Sequence, residues 1–272
     1  MDVVLYHASC ADGFCAAWVF HKKYPNATYI PINYYQPVPE IVSEGGKNVY
    51  IVDFSFPREI LLEIKQKSNF VKVLDHHKTA KAALEGLDFC TFDLTKSGAR
   101  LAWEYLFGDE PAPILVDYVE DRDLWNWKLA DSHTINAVIQ STPYKFQAFD
   151  ELQNQLFQNF NLVVSNGQAI LMAQDKIVAS AVSRATEIVM NGHKVLCVNS
   201  TCHISEIAGE LAKGRPFGVS WFEKDGERVF SLRSDEEGLD VSEIAKLYPG
   251  GGGHTHAAGF TVQVPRVTNY IG

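Results

Sequence analysis

The stretch FVKVLDHHKTA, residues 70–80, joins an alternating apolar run to three consecutive polar side chains. The run predicts a buried β-strand, and Asp75, His76 and His77 stand where that strand ends. Adjacent histidines in a strand would point to opposite faces, so both can serve one site only from a loop. Ligands of open α/β sheets bind beyond the carboxyl ends of the strands, which makes these three residues candidates for a site.

The rest of the N-terminal half alternates short apolar runs with helical patterns, which is typical of a parallel sheet flanked by helices. Strands are predicted at DVVLYH, ATYIPI and NVYIVD, and helices at DGFCAAWVFHKKY, FPREILLEIKQK and SGARLAWEYLF. Two helical stretches follow, KFQAFDELQNQLFQNF and NGQAILMAQDKIVASAVSRATEIVM. Strands and helices then return, with a hairpin signal at Asp225-Gly226, since glycine readily takes the positive φ of a type I′ turn.

These patterns predict an α/β protein with three segments. Residues 1–144 would form a parallel-sheet domain with flanking helices, residues 145–190 a helical connector, and residues 191–272 a smaller α/β domain.

Composition narrows the classes of partner. A formal net charge of −9 argues against a diffuse basic surface for long nucleic acid and favours a small phosphate-bearing partner. The five cysteines form no CxxC pair, which predicts reduced thiols. No apolar stretch approaches the about 18 residues of a membrane span, and the N-terminus lacks a signal-peptide pattern. We therefore expect a soluble, cytoplasmic protein without a membrane partner.

Ionisable residues also stand at the ends of two other predicted strands. DVVLYH ends at His7, with Asp12 five residues further on, and NVYIVD ends at Asp53. Asp121 and Asp123 form a further acidic group in VDYVEDRDLWNW. Taken singly, such residues are more typical of helix caps, turns or buried histidines. That explanation would have to hold separately at three strands of the sheet, so a shared metal site is the better interpretation.

Imidazole and carboxylate together suit Mn²⁺, with Mg²⁺, Co²⁺ or Fe²⁺ as alternatives, better than a structural zinc site built on cysteines. An excess of aspartate allows one carboxylate to bridge two ions about 3.5 to 4 Å apart, an arrangement that activates water and neutralises a phosphate. The implied reaction is the hydrolysis of a phosphoester or phosphoanhydride.

The segments HASCADGFCAAW, IVDFSF, VLDHHKTA and YVEDRDLW resemble, in order, the four motifs of the DHH phosphoesterase superfamily. The segment YPGGGGHTHAAGF resembles the glycine-rich motif of the DHH-associated C-terminal domain. Together the motifs span residues 7 to 260. The resemblance implies a catalytic first domain, a substrate-binding second domain and an active-site cleft between them.

The resemblance further implies two divalent ions, most simply Mn²⁺, held by His7, Asp12, Asp53, Asp75, His76 and Asp121. Asp53 would bridge the ions and His77 would face the substrate phosphate, which makes these two the predicted catalytic residues. Asp75 either ligates or supports the site, and Asp123 is the alternative to Asp121. Many relatives carry two aspartates in the first motif. Cys10 stands at the other position here, so either Asp12 serves both ions or water replaces a carboxylate.

The second domain would supply the substrate contacts. Gly251, Gly252 and Gly253 lack Cβ atoms, so their backbone N–H groups can approach a phosphate closely, and His254 would add a donor. Arg233 is a further phosphate partner, because its guanidinium group matches phosphate oxygens in pairs.

The implied enzyme is a Mn²⁺-dependent phosphodiesterase that releases mononucleotides from very short oligonucleotides or from linear dinucleotides such as pApA or pGpG. The alternatives are a 3′-phosphoadenosine 5′-phosphate phosphatase, a single-strand DNA or RNA exonuclease and, from a different class, a catalytically decayed nucleotide-binding regulator. No long-duplex partner is expected, and the sequence leaves open whether the chain forms a homodimer.

Overall fold

The computed structural model describes residues 1–34 and 36–264, and the chain divides into two compact units, Met1–Ile170 and Leu171–Gly272. The three-segment division at residues 144 and 190 stays a prediction. The last eight positions of its third segment, 265–272, lie outside the described residues.

The first unit contains a five-stranded parallel sheet in the order β2-β1-β3-β4-β5. Its strands are β1 (Asp2–His7), β2 (Thr28–Ile32), β3 (Asn48–Val52), β4 (Phe70–Asp75) and β5 (Cys90–Phe92). Its helices are α1 (Ala11–Lys23), α2 (Glu40–Ser43), α3 (Arg58–Lys67), α4 (Lys78–Ala83), α5 (Gly98–Phe107), α6 (Ile114–Asp123), α7 (Ser132–Ser141) and α8 (Phe146–Gln158). Helix α9 (Phe160–Val182) continues into the second unit.

Both faces of this sheet are covered. In β1, Val4 packs into one apolar cluster together with Trp18 of α1, whereas Val3 and Leu5 pack into a second cluster with Leu61 of α3. A strand buried on both faces needs apolar residues at successive positions, which explains why β1 has a continuous apolar run. The predicted parallel sheet with flanking helices is confirmed.

The second unit contains a mixed six-stranded sheet in the order β10-β11-β9-β8-β7-β6. Its strands are β6 (Thr186–Met190), β7 (His193–Asn199), β8 (Gly218–Lys224), β9 (Glu227–Arg233), β10 (Gly252–Gly253) and β11 (Ala257–Gln263). Its helices are α10 (Ile204–Ala212) and α11 (Val241–Ala245). Strands β7 and β8 are parallel and the other pairs are antiparallel.

The hairpin predicted at Asp225-Gly226 is confirmed, with φ values of 54° and 84° at these two residues. The prediction that a helix continues to residue 190 is wrong, because α9 ends at Val182 and residues 186–190 form β6. Asn191 and Gly192, with φ values of 49° and 84°, turn this strand back onto β7. An Asn-Gly pair is a strong hairpin signal, so the turn was readable from the sequence.

None of the helices in the described part of the chain combines the length and apolar character needed to cross a membrane.

Candidate metal centre

The ends of three adjacent strands form the centre. Strands β1, β3 and β4 are neighbours in the parallel sheet, so their carboxyl ends lie at the same edge. His7 is the last residue of β1, Asp53 follows β3 directly, and Asp75 is the last residue of β4. This placement confirms the expectation that the carboxyl edge of the sheet gathers the ionisable residues.

Asp53 has an unusual backbone conformation for a residue other than glycine. Its φ is 62°, in the left-handed region, while its N–H donates to the carbonyl oxygen of Leu74 at 3.0 Å. Aspartate and asparagine tolerate this region better than most residues, and such conformations concentrate at functional sites. The hydrogen bond anchors the turn to β4 and fixes where the Asp53 carboxylate begins.

The imidazole of His76 lies among three carboxylates. Its Nε2 is 3.0 Å from Asp53 Oδ1 and 3.5 Å from both Asp12 Oδ2 and Asp123 Oδ2. Burial opposes a positive charge on this ring, but the three acidic neighbours outweigh it and raise the pKa of His76 to about 10. The pocket around Nε2 therefore favours a cation.

Asp12 connects the centre to α5. Its Oδ2 accepts a hydrogen bond from the backbone N–H of Gly98 at 2.6 Å, and its Oδ1 accepts one from Ala99 at 2.8 Å. The first N–H groups of a helix have no partner within the helix, so this carboxylate both caps α5 and holds a fixed position.

The carboxylates outnumber the imidazoles that could neutralise them. Burial and the charges of Asp53 and Asp123 raise the pKa of Asp12 well above its usual range. Burial also raises the pKa of Asp123, with Asp53 adding to the effect. Asp53 behaves oppositely, because its interactions with the imidazoles of His7 and His76 overcome burial and hold its pKa well below the usual range. The residual negative charge would be neutralised by a divalent ion.

Asp75 orients the neighbouring histidine pair. Its Oδ1 accepts hydrogen bonds from the backbone N–H groups of His76 at 2.7 Å and His77 at 3.1 Å, and lies 2.7 Å from His77 Nδ1. Its Oδ2 accepts a hydrogen bond from Ser55 Oγ at 2.5 Å. Burial would raise its pKa, but these partners, His77 above all, lower it to about 2. Of the two roles left open for Asp75, its contacts match support of the site.

Two groups of side chains at this sheet edge have ligand atoms close enough to hold an ion: His7, Cys10 and Asp53, and Asp12, His76 and Asp123. Within each group the atoms lie within 4.8 Å of one another. Among the described residues, the buried Asp53 Oδ2 and Asp123 Oδ2 accept no hydrogen bond. A buried carboxylate oxygen without a donor is costly, so these oxygens fit the role of metal ligands.

No family model matches the chain. Among curated proteins, an uncharacterized protein of Acanthamoeba polyphaga mimivirus is 32% identical over 285 residues, covering 95% of this chain and 67% of that protein. Oligoribonuclease NrnB of Bacillus subtilis (strain 168) is 26% identical over 227 residues, covering 75% of this chain and 56% of the relative. The chain thus spans about two thirds of the length of the mimivirus protein and somewhat over half of the length of NrnB.

Two solved structures share the fold. RecJ from Thermus thermophilus, in complex with Mn²⁺, has a TM-score of 0.54 at 14% identity and covers 96% of this chain and 49% of its own. The pGpG-specific phosphodiesterase PggH of Vibrio cholerae has a TM-score of 0.51 at 13% identity, and the match covers 97% of this chain and 93% of the PggH chain. The relatives cover most of the chain, and residues of its four DHH motifs meet at one centre. The chain belongs to the DHH superfamily of phosphoesterases.

The fourth DHH motif requires a correction. Asp121, the predicted metal ligand, lies outside both ligand groups. It accepts hydrogen bonds from Lys128 N at 2.9 Å, Leu129 N at 3.2 Å and Ser132 Oγ at 2.5 Å. Asp123, two residues further along the end of α6, reaches the centre instead. The structure thus uses Asp121 to hold the loop before α7.

Substitutions at these two DHH-motif aspartates should separate the two roles. We expect Asp121→Asn to lower the free energy of unfolding by about 1–3 kcal/mol, since it weakens a buried hydrogen-bonded network, with metal affinity retained. Asp123→Asn should reduce metal affinity at least about tenfold and leave the fold intact. Thermal unfolding and calorimetric metal titration of both variants measure these effects, and the reverse pattern would contradict the correction.

The residues expected to contact substrate in this DHH protein lie in the second unit. Arg233 ends β9 and donates to Ser205 Oγ at 2.7 Å and to the carbonyl oxygen of Leu232 at 2.8 Å. Gly252 and Gly253 form β10 and pair with β11, and the N–H of His254 donates to the carbonyl oxygen of Ala257 at 2.7 Å. Their substrate role stays a prediction.

The glycine run also has a packing reason. A Cβ at Gly251 would clash with the carbonyl oxygen of Ala245, and one at Gly253 would lie 2.5 Å from the carbonyl oxygen of Ala257. Because glycine has no side chain, the backbone of Gly251 can approach α11 and that of Gly253 can approach β11. The run therefore serves packing within the second unit, whatever it contributes to binding.

The sequence patterns of this DHH protein did not identify two residues of the site, Ser55 and Gly98. Ser55 donates to Asp75, and Gly98 lets α5 approach the centre, because a Cβ there would lie 2.6 Å from Asp53 Cβ and 3.0 Å from Asp12 Oδ2. Ser97-Gly98 carried one usable signal, a serine before a helical pattern, which is typical of a helix N-cap. That signal locates the helix start but does not place it against the centre.

Proposed function

We propose that this chain is a two-metal phosphodiesterase that hydrolyses very short oligonucleotides or linear dinucleotides, such as pApA or pGpG, to mononucleotides. The observation that carries the proposal is the convergence of two adjacent ligand groups on one sheet edge, with His76 Nε2 3.0 Å from Asp53 Oδ1. A buried carboxylate between two ligand groups is the arrangement that an in-line phosphoryl displacement uses.

In this proposal Asp53 is the shared carboxylate, because it contacts His7 of one ligand group and His76 of the other. Asp12, His76 and Asp123 hold the second position. When bound, two divalent ions, Mn²⁺ in the first instance with Mg²⁺ or Co²⁺ as alternatives, would lower the pKa of an attacking water and neutralise charge on the phosphate.

His77 is proposed to contact the substrate phosphate. Asp75 holds its Nδ1 at 2.7 Å, which fixes the ring and assigns any contact with the phosphate to the other ring nitrogen. A carboxylate that orients a histidine in this way holds the imidazole ring in place for its contact with a phosphate oxygen.

A short substrate is favoured by charge. The net charge of −9 opposes a long polyanion, whereas a dinucleotide places its few phosphates at the centre where bound cations compensate them. The names of two proteins similar to this chain, an oligoribonuclease and a pGpG-specific phosphodiesterase, support the same class of substrate.

The test is a substrate panel with purified protein and Mn²⁺. It would contain pApA, pGpG, RNA and DNA of about five and about twenty nucleotides, a cyclic dinucleotide and 3′-phosphoadenosine 5′-phosphate. We expect the highest kcat/KM on the linear dinucleotides or the five-nucleotide RNA. A preference for 3′-phosphoadenosine 5′-phosphate would indicate a phosphatase instead of a phosphodiesterase. A preference for the twenty-nucleotide strands would indicate an exonuclease. The absence of turnover with Mn²⁺, Co²⁺ and Mg²⁺ would refute the proposal that the protein is an enzyme.

Metal binding should also stabilise the folded protein. An ion that binds only the folded state at a hundred times its Kd adds about 2.7 kcal/mol, which for a chain of this size corresponds to a rise in Tm of about 5–10 °C. We expect Mn²⁺ to produce this rise in a thermal scan and a chelator to reverse it. Ca²⁺ is the control, because it prefers larger all-oxygen sites and should shift Tm less. Equal effects of Mn²⁺ and Ca²⁺ would argue against the ligand set.

A further inference from the structure

Cys10 belongs to the first DHH motif, and the structure places its sulfur at the centre. Cys10 immediately precedes α1, and its Sγ lies within 4.8 Å of a ligand atom from His7 and one from Asp53. The other four cysteines lie outside both ligand groups. Position and neighbours single out this thiol.

A second observation points to a ligand at the same place. Asp53 is 1% exposed, and its Oδ2, 3.5 Å from His7 Nδ1, accepts no hydrogen bond from the described residues. A buried carboxylate oxygen without a hydrogen-bond donor, on a side chain grouped with an imidazole and a thiol, has the surroundings of a metal ligand rather than of a hydrogen-bond acceptor.

We propose that the Cys10 thiolate is a metal ligand and that, with His7 and Asp53, it makes one of the two metal positions selective for borderline-soft ions such as Zn²⁺, Co²⁺ or Fe²⁺. The inference rests on the two-metal centre of the proposed function. Binding replaces the sulfur–hydrogen bond by a sulfur–metal bond and releases the proton to the buffer.

The two positions then differ in chemistry. Asp12, His76 and Asp123 offer only nitrogen and oxygen, which suit Mn²⁺ or Mg²⁺, whereas a thiolate shifts preference toward Zn²⁺ and its neighbours. The centre is therefore built for two unlike ions, with Asp53 in contact with both groups.

Cobalt titration tests the proposal without reference to turnover. Co²⁺ added to the metal-free full-length protein should produce a thiolate-to-cobalt charge-transfer absorption in the near ultraviolet. Cys10→Ser should lose this band. Cys10→Asp should lose it too, yet still bind Co²⁺, and its ratio of Zn²⁺ to Mn²⁺ affinity should fall at least about tenfold.

Matched controls come from two other cysteines. Cys15 lies in α1, the helix that follows Cys10, with its thiol in the apolar core, and Cys202 is exposed in the second unit. The control variants are Cys15→Ala and Cys202→Ser. Both should keep the band. Thermal scans verify that each variant folds, and if Cys10→Ser does not fold, Cys10→Asp and proton release on Co²⁺ binding decide the question.

A wild-type protein without the band at saturating Co²⁺, or a band that survives in folded Cys10→Ser or Cys10→Asp, would overturn the proposal. The proposed function fails separately. A thiolate band with no turnover of the substrate panel would refute the phosphodiesterase activity but keep Cys10 as a metal ligand. Turnover without the band would keep the phosphodiesterase activity and refute the role of Cys10.

Discussion

Asp53→Asn is expected to lower kcat on the best substrate by about a thousandfold or more, equivalent to roughly 4 kcal/mol of transition-state stabilisation. Asparagine has the same size and tolerates the left-handed conformation at φ 62°, so the backbone turn after β3 should persist. What is lost is the negative charge that contacts both His7 and His76. Alanine would confuse the result, because it fits this φ poorly.

The measurement is steady-state turnover with saturating Mn²⁺, accompanied by thermal unfolding to show that the variant folds. Asp109→Asn is the matched control, since it removes an exposed carboxylate of the same unit and should leave kcat unchanged. An Asp53→Asn protein whose kcat stays within about tenfold of the wild type would remove Asp53 from the proposed mechanism.

Gly98→Ala is expected to damage the centre without removing a ligand. The added methyl group would lie 2.6 Å from Asp53 Cβ and 3.0 Å from Asp12 Oδ2, so α5 or the two aspartates must move. Overpacking of this kind costs about 1–3 kcal/mol of stability. A displacement of about 1 Å in a catalytic site can cost about a hundredfold in rate, and we expect a loss of that size in kcat together with weaker Mn²⁺ binding.

Gly167→Ala separates the two effects. A Cβ at Gly167 would clash with the carbonyl oxygen of Thr134, so α9 would be forced from α7, outside the ligand groups. This control should lose comparable stability and keep the Mn²⁺ affinity of its folded form, measured by calorimetry below the unfolding transition. If both variants lose metal affinity equally, the effect of Gly98 is global and our assignment of Gly98 to the centre is wrong.

The parallel sheet was predictable because its pattern is local. Each strand has a short apolar run and each crossover a helical pattern, so order along the chain and the carboxyl edge follow. The boundary between α9 and β6 was not predicted, because residues 171–182 and 186–190 are both apolar enough to read as one continuous helix. Only Asn191-Gly192 marks the turn that follows β6.

The centre was predictable only as a set of residue types. Strand ends bring His7, Asp53 and His76 together, since adjacent parallel strands finish at one edge. Asp121 and Asp123 differ by two positions on a helix, about 200° of rotation, and which of them faces the centre depends on how α6 packs. Gly98 depends on contact between elements distant in sequence, which a local pattern does not contain.

The adjacency of β1, β3 and β4 also orders the events of folding. Parallel strands cannot pair through a tight turn, so the intervening chain must close first, and long-range pairing of this kind is slow. Until β1, β3 and β4 have paired, His7, Asp53 and His76 belong to separate segments and offer no ion a common position. Metal capture is therefore a late event for a newly made chain, and in a cell it would distinguish molecules that have completed their sheet from those that have not.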